Sequence, residues 1–68
     1  MSKFSVGNWV RVTRADSTIF DEVGQVRNIS RWVRWWEYVI VVNGIAFGPI
    51  EEHFLVLAEE PATTEAAQ

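Results

Sequence analysis

Residues 9–26 read WVRVTRADSTIFDEVGQV. From Val10 to Thr13, apolar and polar residues swap at period two, the pattern of a half-buried strand. A polar connection follows at residues 15–18, where Asp16 and Ser17 can bond their own backbone and hold a bend. Ile19 and Phe20 are large apolar residues inside this polar loop, so the loop is expected to fold back over a core. Gly24, inside the strand-like run Val23-Gly24-Gln25-Val26, predicts a bulge or a close backbone approach. A strand, a long folded-back loop, a glycine and a second strand open a small all-β fold, a five-stranded SH3-like barrel.

Working outward, residues 1–5 read as a short lead-in, with Phe4 and Val6 covering one end of the barrel. Gly7 and Asn8 supply turn chemistry before strand one, expected over residues 9–14. Val10 and Val12 point inward there, and Trp9 is partly exposed. Strand two is expected over residues 24–30, with core positions at Val23, Val26 and Ile29. Their spacing of three also fits a helix, but Gly24, β-branched content and short length favour a bulged strand. Residues 31–36, RWVRWW, fall in the loop before strand three and hold three tryptophans and two arginines. Strand three spans residues 36–42, with Tyr38, Ile40 and Val42 on one face and Val39 and Val41 on the other. Both faces are apolar, so the outer one is expected to meet a partner, the loop tryptophans or a second copy.

Asn43-Gly44 predicts a type I′ hairpin turn, since both residues tolerate positive φ. Strand four, residues 45–47, is expected to stop at Gly48-Pro49. A helical turn over residues 50–53 and a last strand over residues 54–58 follow. Residues 59–68, EEPATTEAAQ, lack apolar periodicity and read as a disordered acidic tail. The expected organisation is one barrel, residues 1–58, sealed by Val10, Val12, Val26, Ile29 and Ile40, and a tail.

Sixty-eight residues without a cysteine allow no disulfide and no thiolate metal site. A chain this short buries only about 60% of its unfolded surface, so packing must supply its stability. A composition that is 49% hydrophobic, with four Trp and four Phe, makes that feasible. No apolar run reaches the length of a membrane span, and no signal-peptide pattern precedes Phe4. The chain is therefore expected in the cytosol, or held to a membrane complex by a partner.

The net charge of −3 conceals an asymmetry. Through Trp36 there are six basic residues against three acidic ones; from Glu37 onward there are six acids and no Lys or Arg. The acidic balance argues against a general nucleic-acid binder. Arg11, Arg14, Arg31 and Arg34 are the candidate partner-binding cations, able to steer an acidic protein. The plainer reading is a solvated strand face, with these arginines pairing to Asp16, Asp21 or Glu37. Trp35 and Trp36 are candidate interface anchors, or stacking platforms for single-stranded bases. The plainer reading has Trp36, with Trp32, completing a thin core. Glu51-Glu52-His53 sets carboxylates beside the only histidine. A lone histidine makes a poor zinc site, and adjacent carboxylates on a strand diverge. No nucleophile with a base and no phosphate-cradling loop is visible. No enzyme, metal or cofactor is therefore expected.

Val10-Arg11-Val12, Arg14, Asp16-Ser17, Phe20, Glu22-Val23-Gly24 and Val26, with Gly7 and Ile29, resemble the N-terminal half of the photosystem I reaction-centre subunit IV family, PsaE. The resemblance continues through Ile45, Phe47, Ile50 and Phe54, covering about residues 6 to 58. It implies an SH3-like barrel without cofactors, peripheral on the stromal or cytoplasmic side of the photosynthetic (thylakoid) membrane. Such a subunit contacts the photosystem I core, stabilises the complex and helps ferredoxin, an acidic electron carrier, to dock. Val41 stands where the family carries the arginine implicated in docking, which leaves Arg31 or Arg34 to supply it. Two other readings stand beside this one. One is a barrel that binds single-stranded nucleic acid or another protein through the Trp/Arg loop. The other is weak self-association on the outer face of strand three.

Overall fold

The computed structural model describes residues 2–61. They form five antiparallel strands in one sheet: β1 (Trp9–Val12), β2 (Val23–Trp32), β3 (Trp35–Val42), β4 (Ile45–Glu51) and β5 (Leu55–Ala58). The strand order is β4-β3-β2-β1-β5, and a 3-10 turn, Glu52–Phe54, links the two outer strands. Five strands in one antiparallel sheet match the expected all-β class. Pairing runs from β4 through to β5, and no ladder joins those two edges among the described residues.

The alternation in β1 places Val10 and Val12 in the core, as expected, although the strand ends at Val12 rather than Arg14. Phe4, Ile19, Val26, Tyr38, Ile40, Val42 and Leu55 complete the buried set. Residues 13–22 do fold back. Asp21 N–H donates to Val12 O and Val12 N–H to Glu22 O, while Thr13 N–H reaches Phe54 O. Ile19 goes inside, but Phe20 is 48% exposed. The two are neighbours on a tight turn, so only one can face inward. Likewise Phe4 closes one end of the core while Val6, two residues on, stays exposed.

Val26 and Ile29 lie three apart, yet they oppose Ile40 and Tyr38, which lie two apart. The extra residue is a β-bulge between Val26 and Asn28. This bulge explains the helix-like spacing in the sequence, and it lies at Arg27 rather than at Gly24. Ile29 is half-buried, packed against the core without sealing it. Gly24 serves the other purpose expected of it. A Cβ there would meet Val42 Cγ2 at 2.7 Å and Val41 O at 2.8 Å, so only glycine fits.

A second bulge lies in β4, where Phe47 and Ile50 oppose the same Ile40 and Tyr38. Gly48, at φ 135°, and a cis Gly48-Pro49 bond occupy it. β4 therefore continues past Pro49 to Glu51 instead of stopping at Phe47. Asn43 and Gly44 form the expected turn, with φ 52° and 81°. Residues 59–61 have no regular structure and are exposed; the rest of the expected tail, residues 62–68, lies outside the described residues.

Candidate functional site

The six candidate residues do not form one patch. Arg11 lies on β1, where its Nη1 donates to Asp21 O at 2.9 Å and meets Asp21 Oδ1 at 3.2 Å. Arg14 follows β1, with Nε 2.7 Å from Asp16 Oδ1 and its guanidinium 4.9 Å from the Phe54 ring centre. Both arginines take up the neighbouring acids, so the plainer reading describes them best. These exposed pairs do little for stability.

Residues 31–36 are not a loop. β2 and β3 continue to Trp32 and Trp35, and only Val33 and Arg34 turn. Trp32 pairs with Trp35 and Arg31 with Trp36 across the hairpin. Successive strand residues face opposite ways, which puts these pairs on opposite faces. Trp36 shares the side of Tyr38, Ile40 and Val42; it packs half-buried on the core, beneath the Arg31 guanidinium at 5.4 Å. Trp35 shares the outer side with Glu37, and its Nε1 donates to Glu37 Oε2 at 3.0 Å. The core therefore takes Trp36 but not Trp32, which is 56% exposed.

Arg31 and Arg34 form no ion pair among the described residues. The hairpin end thus carries two unmatched cations, the exposed Trp32 and the 73%-exposed Val33. Val33 holds φ 21°, on the positive side that β-branched residues avoid. Arg27, outside the sequence-derived set, adds a further exposed cation at the β2 bulge. No sequence signal singles out Arg27 or Trp32, because bulge position and hairpin register decide their exposure.

The acidic half of the chain is arranged differently. Glu37 on β3 directly opposes Glu51 on β4, an unfavourable like-charge pair. Glu51 Oε1 lies 3.2 Å from His53 Nε2. Glu52, next in sequence, takes different partners. It accepts from the Tyr38 hydroxyl and, at 2.7 Å, from the Lys3 N–H. Burial pushes the Tyr38 phenol up, and its bond to Glu52 adds to that. Burial also opposes the charge on Glu52, but the bonds from Tyr38 and Lys3 outweigh it and hold the carboxyl below its ordinary value. Among the described residues, no three His, Asp or Glu side chains group as a metal site, and no helix is long and apolar enough to cross a membrane.

Comparison with protein-family models, with curated proteins and with solved structures returns no match.

Proposed function

We propose that this chain is a non-catalytic docking module that offers the β2–β3 hairpin to an acidic protein. One observation carries the reading: of the four candidate arginines, Arg11 and Arg14 are bound to their own acids, while Arg31 and Arg34 pair with no acid among the described residues. Unmatched cations on a projecting hairpin raise the encounter rate with an anionic partner. The resemblance to the photosystem I subunit names that partner as ferredoxin. It gives the chain a peripheral place on the cytoplasmic or stromal face of the photosynthetic membrane, held by core subunits. Arg31 and Arg34 then replace the arginine whose position Val41 occupies, on the half-buried outer side of β3.

Titration of ferredoxin into isotope-labelled protein at low salt tests this. Amide shifts are expected across residues 27–36, fading as salt rises and shrinking in an R31Q/R34Q variant. Unchanged shifts in that stretch overturn the proposal. Quenching of tryptophan fluorescence by oligonucleotides, with no response to ferredoxin, would instead support the nucleic-acid reading.

A further inference from the structure

The hairpin holds three indoles in three different states. Trp36 is wedged between the core and Arg31. Trp35 is half-buried and tied to Glu37. Trp32 makes no side-chain hydrogen bond among the described residues and stays 56% exposed, next to Val33 at 73%. Trp35 is its cross-strand partner in the ladder. Trp32 has Arg31 on one side in sequence and the turn residue Arg34 beyond Val33.

An exposed indole is a costly thing to leave in water, since it is among the largest apolar surfaces a residue offers. Core packing does not explain this one, because Trp32 faces the side opposite to Trp36 and the buried strand residues. Aromatic residues and arginine are the side chains that most often dominate binding energy. The two kinds act at different stages: charge sets the rate of encounter, and a desolvated aromatic sets the lifetime of the complex.

We infer that Trp32 is the anchor of the docking surface, inserting into an apolar socket on the acidic partner whose carboxylate rim is met by the turn residue Arg34, while Arg31, held over Trp36 on the opposite face, adds longer-range attraction. The inference rests on the docking role proposed above and adds the shape of the partner's site: an indole-sized apolar depression ringed by acids. Charge complementarity selects this occupant. A second copy would meet Arg31 and Arg34 with its own Arg31 and Arg34 if it packed hairpin to hairpin, and like charges there repel. Trp35 and Trp36 then act as the buttress, holding the hairpin at a fixed angle without entering the socket.

The test measures association and dissociation rates with ferredoxin as the acidic probe, for the full chain and for W32A, W32F and R31Q/R34Q. Thermal melts of the three variants check that each one folds. W32A is expected to speed dissociation about thirtyfold with association little changed, as loss of an anchor does. W32F, which keeps an aromatic face, should fall between W32A and the parent. R31Q/R34Q is expected to slow association about tenfold and flatten its salt dependence. Binding that survives W32A with an unchanged dissociation rate overturns the anchor while leaving the docking role intact. Absence of binding by the parent chain overturns both. Concentration-dependent sedimentation of the chain alone, abolished by W32A, shows that the socket belongs to a second copy and overturns the inference. Quenching of Trp32 by a poly-dT probe, with no ferredoxin response, also overturns it.

Discussion

Replacing Tyr38 by Phe should unfasten the N-terminal segment from the 3-10 turn. The Tyr38 ring is fully buried, and its hydroxyl sits where three segments meet. It donates to Glu52 and accepts from Lys3 N–H at 3.2 Å and Phe4 N–H at 3.3 Å. Phe keeps the packing, including the edge-on contact with the Phe4 ring at 5.3 Å between centroids. The loss is therefore the hydroxyl alone. A hydrogen bond to a charged group contributes about 1.5–3 kcal/mol, and an orphaned buried donor costs about 1–3 kcal/mol. Lys3 N–H retains Glu52, so only the Phe4 N–H is orphaned. A net loss of about 3 kcal/mol follows once overlap between those two effects is allowed for. That is a large share of the roughly 3–10 kcal/mol available to a domain of this size. The melting temperature should drop by roughly 12–24 °C.

Glu52→Gln gives the same staple a pH signature. Because the folded-state pKa of Glu52 is depressed, its contribution is present above the ordinary value of 4.5 and is lost as pH falls through the folded value. The Tyr38 pKa is raised, so its contribution is present below its ordinary value of 10.0 and is lost as pH rises through the folded one. Urea melts followed by tryptophan fluorescence between pH 3 and pH 7 should therefore show stability falling toward acid in the parent chain. In Glu52→Gln that slope should be shallower. The double variant should lose less than the two single losses together, since the residues share one bond. A Tyr38→Phe chain within about 0.5 kcal/mol of the parent, the range of a neutral surface change, refutes the staple.

Gly24→Ala should destabilise by about 2 kcal/mol in urea melts, because its Cβ meets Val42 and the Val41 carbonyl inside contact distance. Val33→Gly should stabilise by about 1 kcal/mol, since it relieves a positive φ on an exposed β-branched residue; an unchanged midpoint would show that the turn carries no strain. Glu51→Gln should stabilise by roughly 0.5 kcal/mol by ending the opposition to Glu37, and high salt should erase the difference. Trp36→Ala should lower stability by about 2 kcal/mol while Trp32→Ala stays within about 0.5 kcal/mol, as calorimetry of the two would show.

Much of the fold was legible because its signals are local. Val10 and Val12 alternate within one strand. Asn43-Gly44 states its own turn. The apolar Ile19 in a polar loop announces a fold-back. Expectation and structure part where neighbours compete or register matters. Ile19 and Phe20 share a turn, and the chain alone does not say which turns inward. The loop expected at residues 31–36 is instead two strand ends and a two-residue turn. Good strand formers such as Trp and Val extend a ladder when a tight turn is possible.

The candidate site was legible in its residue types but not in its geometry. An arginine is visible in any sequence; its counter-ion is not. Arg11 finds Asp21 ten positions on because residues 13–22 fold back, and Arg31 finds Trp36 because the hairpin is in register.

By itself the sequence determined that five short apolar strands would pack into a single small sheet, and that basic and aromatic residues would gather near the second turn. Those properties depend on residues within a few positions of one another. Only the tertiary structure decided which arginines remain unmatched, that Trp32 faces water while Trp36 meets the core, and that Tyr38, Glu52 and Lys3 close one staple. Each depends on strand register, where a shift of one residue exchanges the two faces of the sheet. Two bulges beside β3 set that register, and they arise from pairing between strands rather than from any one stretch of chain.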